Sequence, residues 1–183
     1  MGLKNTTDRY GSLSIRMHWL MLLLLIAVYA AINLHDAAPK GSDLRADLKV
    51  WHFMLGLAVL GLVVARLFAR LTSGAAPAIT PPLSQWQARF AGAMHVALYA
   101  FMIGMPLLGW VAVSAKGAPI EFFGWHLPML IAQDRDLYDS LKEVHEVIGT
   151  AGYYLIGLHA AAALFHHYVM RDNTLLRMLP QRR

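Results

Sequence analysis

The chain has 183 residues, 57% of them hydrophobic, and a formal net charge of +5. It is too apolar for an ordinary soluble domain of this length. The absence of cysteine excludes a thiolate-bound cluster, a thioether-linked prosthetic group and a disulfide framework.

Residues 1–12 form a short polar leader. A basic start followed by an apolar run and Ala27-Val28-Tyr29-Ala30-Ala31 has the outline of a signal peptide. The run is longer than a signal core and opens with His18, so the expectation is a retained helix. Four stretches carry no formal charge: 17–34, 50–65, 90–115 and 147–170. A bilayer core of about 30 Å needs roughly 20 helical residues, and Arg66 and Arg70 can snorkel outward from the end of the second. Transmembrane helices are predicted over 13–34, 50–71, 87–115 and 140–170, with Pro106 kinking the third. The stretch 72–82, with Gly74, Pro77, Pro81 and Pro82, reads as an extended connector. Between helices three and four, 120–131 is aromatic and apolar but broken by Gly124 and Pro128. Such a segment is fit to lie on the membrane surface or over a cofactor edge. The expected fold is an all-α integral membrane protein, one four-transmembrane-helix domain over 1–183.

An even number of crossings puts both termini on one side. Ten of the sixteen Lys and Arg fall there, Arg182 and Arg183 included, while nine of the eleven acidic residues fall on the other. The Lys/Arg bias predicts cytoplasmic termini, and the positive charge then faces anionic lipid rather than nucleic acid. The tryptophans gather near helix ends, as an aromatic belt does.

His145 and His159 stand fourteen residues apart on the fourth helix. At about 100° per residue that spacing returns to one face, about 21 Å further along. His52 opens helix two on the same side as His145, and His18 lies near the start of helix one, on the side of His159. His95, early in helix three, competes for the His18/His159 side. Each bis-imidazole pair suits one b-type haem, with both axial positions filled and electron transfer as the natural use. On the helix-four face, Gly149 and Gly152 would let a flat macrocycle approach the backbone, and Gly56 repeats the spacing after His52. Arg66 and Arg70 are candidates for haem propionates or a quinone carbonyl. His166 and His167, at the end of helix four, are candidates for a quinone head group or for an interfacial anchor. A histidine-lined metal-ion transporter is the alternative, weakened because no carboxylate accompanies these histidines within the membrane.

The chain resembles the bacterial four-helix di-haem cytochrome b561 family over almost its whole length. The residues that carry this are Arg16-Met17-His18-Trp19, Trp51-His52 with Arg66, and Ser140-Leu141-Lys142 before His145-Glu146. The most specific are Ile156-Gly157-Leu158-His159-Ala160-Ala161-Ala162-Ala163-Leu164, His166-His167-Tyr168 and Asp172-Asn173-Thr174-Leu175-Leu176-Arg177-Met178. The resemblance implies two haem b in the bacterial inner membrane, ligated by His18, His52, His145 and His159. It also implies exchange of electrons with the ubiquinone pool. In the superoxide-oxidase branch, superoxide outside gives an electron that ends on ubiquinone. A relay subunit passing electrons between a partner dehydrogenase, or another one-electron donor, and quinone is the second expectation. Steering an anion to a net acidic outer face requires Lys40, Arg45, Lys49, Lys116 or Lys142 to cluster near the outer histidines.

Overall fold

The computed structural model describes residues 2–180; Arg182 and Arg183, counted above, lie outside the described residues. Four long helices dominate it: α1 (Ser12–Ala37), α2 (Asp43–Thr72), α3 (Gln85–Lys116) and α4 (Arg135–Phe165). All four are long and apolar enough to cross a bilayer. Their most apolar windows are only 6% to 22% buried, so most of that surface faces lipid.

Capping chemistry decides where the helices begin. The Ser42 hydroxyl accepts from the Arg45 amide at 3.2 Å, and the Asp134 carboxylate from the Leu137 amide at 3.0 Å. Both α2 and α4 therefore start earlier than predicted, at Asp43 rather than 50 and at Arg135 rather than 140. These charged first turns project beyond the apolar stretch. At the far end α4 stops at Phe165, and His166–Met170 continue as a π-turn. α3 runs helically on both sides of Pro106 and ends at Gly117, whose φ of 72° supplies the left-handed cap.

The loop predicted over 120–131 contains a small antiparallel hairpin, β1 (Ile120–Phe122) with β2 (Trp125–Leu127). Its two-residue turn is Phe123-Gly124, both at positive φ.

The helices pack in chain order, α1 on α2, α2 on α3, and α3 on α4. The buried core of Met21, Val59, Val63, Leu98 and Met102 belongs to α1, α2 and α3. On α4 only Gly152 is buried.

At the end bearing the termini, the connector between α2 and α3 is clamped rather than free. Asn5 donates to the Gly74 and Ala75 carbonyls at 3.3 and 3.2 Å. Asn173 accepts from the Thr80 amide at 2.9 Å. The buried Arg177 guanidinium donates to the Pro77 carbonyl, and the Trp19 indole to the Met178 carbonyl at 2.8 Å.

Candidate functional site

The first histidine of α2 faces that of α4. The His52 and His145 rings are 6.2 Å apart between centroids, at 77°. At the other end, His18 of α1 and His159 of α4 are 6.3 Å apart, at 69°. His95 of α3 stands 5.7 Å from the same His159. A metal–nitrogen bond of about 2.0 Å on each side, plus roughly 1.1 Å from nitrogen to ring centre, separates imidazoles sharing one metal by about 6.2 Å. The His52/His145 and His18/His159 spacings match that figure more closely than the His95/His159 spacing. Among the described residues no group of three or more His, Cys, Asp and Glu is placed to hold a metal ion. A bare ion wants three or four protein ligands. Two imidazoles suit a metal whose remaining positions a macrocycle fills.

The ring nitrogens are held differently at the two ends. His52 Nδ1 lies 3.1 Å from the Val28 carbonyl. A carbonyl only accepts, so Nδ1 carries the proton and the lone pair is left on Nε2. His145 Nδ1 is buried without a partner, and its ring rests against Gly109, where an added Cβ would lie 3.2 Å from Cε1. At His18, Arg66 Nη2 donates to Nδ1 at 3.0 Å. Arg66 thus reaches a histidine of the pair itself, and Arg70, exposed one turn on, extends the cationic rim.

The three glycines singled out from the sequence differ. A Cβ at Gly56 would meet nothing within 4 Å, and one at Gly149 only the Met105 methyl at 3.5 Å. At Gly152 a Cβ would collide with the Phe101 ring and the Tyr29 hydroxyl. Side chains of α1 and α3 therefore occupy its face, and Gly152 serves helix packing. Tyr29 also donates to the Gly149 carbonyl at 2.7 Å and stacks on Tyr153 at 4.1 Å. Gly109 and Tyr29 stand outside the residues expected at the site from the sequence. A hydroxyl in an uncharged apolar window needs a partner, and that signal was available for Tyr29. Nothing local marks Gly109.

His166 is half-buried, with Nδ1 2.5 Å from Asp172 Oδ2. Burial pushes the Asp172 carboxyl up, but hydrogen bonds from His166 and Thr174 outweigh it and hold it below the usual carboxylate range. His167 turns instead to Tyr168, ring to ring at 4.8 Å, and the structure does not bring it to a histidine pair. At the opposite end, Lys116, Lys142 and Arg45 are near enough to act on the charge of Lys49, opposed by Asp36. Arg45 is shared with Asp36 at 3.8 Å and Lys142 with Glu146 at 3.0 Å. Lys49 and Lys116 lie near the Phe53 and Tyr138 rings. Lys40 is not among these neighbours.

The family model for prokaryotic cytochrome b561 matches residues 9–181. The chain belongs to the prokaryotic cytochrome b561 family. It is similar to the "Probable superoxide oxidase CybB" of Yersinia pestis, at 37% identity over 96% of this chain and 98% of that protein. It is also similar to "Cytochrome b561 homolog 1" of Escherichia coli strain K12, at 36% over 96% and 99%. "Cytochrome b561 homolog 2" of the same organism is 28% identical over 98% and 95%. As a cytochrome b561, the protein is a bacterial membrane electron-transfer protein with b-type haem. The facing imidazoles stand at metal-sharing distance and His52 carries its proton on Nδ1, as that group needs; His18 fits it once Arg66 leaves Nδ1.

Proposed function

We propose that this cytochrome b561 takes electrons from superoxide on the periplasmic side and delivers them to ubiquinone, with both termini cytoplasmic. The observation that carries this reading is the pair of histidine spacings, 6.2 and 6.3 Å, at opposite ends of one helix. In this reading His52 and His145 hold an outer haem b, and His18 and His159 an inner one. His95 is the replacement candidate at the inner site. The haems, when bound, supply one-electron acceptor and donor sites.

The remaining work falls to the chain. Held between two imidazoles, such a group would supply electron transfer rather than chemistry on bound dioxygen. Lys49 and Lys116 draw the superoxide anion toward the outer pair, offsetting a face that is acidic in sum. Each superoxide loses one electron and leaves as O2. Two such electrons and two protons convert ubiquinone to the quinol. His166, its Nδ1 proton held by Asp172, keeps a lone pair on the other ring nitrogen, able to accept a hydrogen bond from a quinol hydroxyl. Arg66 and Arg70 place positive charge beside the inner pair, where a reduced quinone or a propionate carries negative charge. The printed name of the Yersinia pestis relative supports the choice of superoxide as donor.

Stopped-flow mixing of the purified, quinone-loaded protein with superoxide tests the reading. Haem reduction should outrun spontaneous dismutation and be followed by quinol formation. Haem that stays oxidised while superoxide decays at its buffer rate overturns it.

A further inference from the structure

We propose that the chain between α3 and α4 is seated in lipid. The β1–β2 hairpin and the strap after it press Phe123, Trp125, Met129 and Leu130 into the leaflet at the end of the bundle opposite the termini. These four side chains are 58%, 76%, 59% and 46% exposed to the surroundings of the protein.

Depth is the first argument. α3 carries no charge from 90 to 115 and ends at Lys116, the residue that marks its exit from the membrane. The chain then folds back beside the helix. The Trp110 indole donates to the Pro128 carbonyl at 3.0 Å, and the Leu130 amide to the Ser114 hydroxyl at 3.1 Å. The Asp134 amide donates to the Ala115 carbonyl at 2.9 Å. At about 1.5 Å per residue, Trp110 lies roughly 9 Å below Lys116. Residues 128–134 therefore start at the depth of an aromatic belt and climb back to the helix end. Charge resumes at Asp134 and Arg135, where α4 begins.

Chemistry is the second. Residues 122–133 contain no Asp, Glu, Lys or Arg. In the hairpin, Glu121 pairs with His126, and Ile120 with Leu127 and Phe122 with Trp125 occupy the other face. Ile120 is buried, and β1 packs on α2 and α3. The same apolar face runs on through Phe122 to Trp125, beyond the protein beneath it. A docking patch for a soluble protein carries a polar rim. An uncharged aromatic tip continuous with the lipid-facing helices matches the headgroup–acyl boundary instead.

The turn is the third. Two-residue hairpin turns with both φ positive favour Asn or Asp before Gly. Here Phe123, at φ 47°, precedes Gly124 at φ 84°. A bulky residue in that region is strained. An aromatic ring kept there fits a tip that gains from burial outside the protein.

The chain has no cysteine, so Trp125→Cys and Met129→Cys each give one labelling site. The haem-loaded variants would carry a nitroxide in nanodiscs of phosphatidylethanolamine and phosphatidylglycerol, with Asp136→Cys as the water-facing reference. Labels at 125 and 129 should favour collisions with O2, which concentrates in lipid, over a water-soluble nickel chelate several-fold more than the label at 136. Access of the chelate to either site equal to that at 136 overturns the proposal. Exclusion of both reagents, the mark of a lid pressed on the protein, overturns it as well. If Trp125→Cys fails to load haem, Trp125→Phe serves. It should lower quenching of native tryptophan fluorescence by lipids brominated near the headgroup, and unchanged quenching counts against lipid contact.

Discussion

The two histidine pairs share a spacing but not a manner of support. In the His52/His145 pair the backbone does the work: the Val28 carbonyl sets the His52 tautomer, and Gly109 makes room for the His145 ring. The His18/His159 pair is instead flanked by side chains, Arg66 on His18 and His95 beside His159. A carbonyl holds one proton position at every pH, whereas a guanidinium on Nδ1 directs the imidazole proton to Nε2. For His18 to present Nε2 to a metal, Arg66 must release it. The lesson is that His52 has its Nε2 lone pair already free for a ligand, whereas His18 gains one only when Arg66 moves.

The largest expected effect comes from removing one pair at a time. His159→Ala should halve the haem content and spare the outer site, and Gly109→Val, which crowds the His145 ring, should halve it by losing the outer one. Pyridine haemochrome quantification with spectra of the remaining haem distinguishes the two. Full haem content in His159→Ala breaks the assignment of His18 and His159 to one metal.

Arg66→Ala should leave haem content intact but slow quinol formation by roughly tenfold or more, the equivalent of one charge-assisted hydrogen bond of about 1.5–3 kcal/mol. Single-turnover kinetics with a quinone analogue reads this. An unchanged rate would leave Arg66 no part in quinone reduction.

A smaller effect concerns the segment after α4. Because the folded Asp172 carboxyl sits below its ordinary value, its contribution to stability is fully present above the usual carboxylate pKa of about 3.9. It is lost as pH falls through the lower folded value. Hydrogen exchange over 171–180 should therefore stay protected down to about pH 4 and open only in stronger acid. Asp172→Asn should exchange faster already at neutral pH, and equal protection in the two proteins would contradict the role given to the carboxylate.

Much of the fold was legible in the sequence because hydropathy over 17–34, 50–65, 90–115 and 147–170 reports the bilayer itself. The same measure missed the charged first turns of α2 and α4, which are helical because Ser42 and Asp134 cap them, not because lipid surrounds them. The hairpin escaped notice since Phe-Gly is not the turn pair that usually announces one. For the site, spacing on α4 placed His145 and His159 on one face, and position along each helix matched partners by side. His18 and His95 could not be separated that way, because a helix's rotation about its axis is set by neighbours such as Met21 and Leu98 in the core. The local gathering of Lys49, Lys116 and Lys142 was likewise invisible to a sum over loops.

The tether from the Trp19 indole to the Met178 carbonyl has a practical corollary. Trp19 is the neighbour of His18, and its ring stands 5.4 Å from that imidazole. The short turn at Leu176–Met178 acts as a buckle on the opening of the first helix, so splinting or removing it would be felt beside His18, some 160 positions upstream.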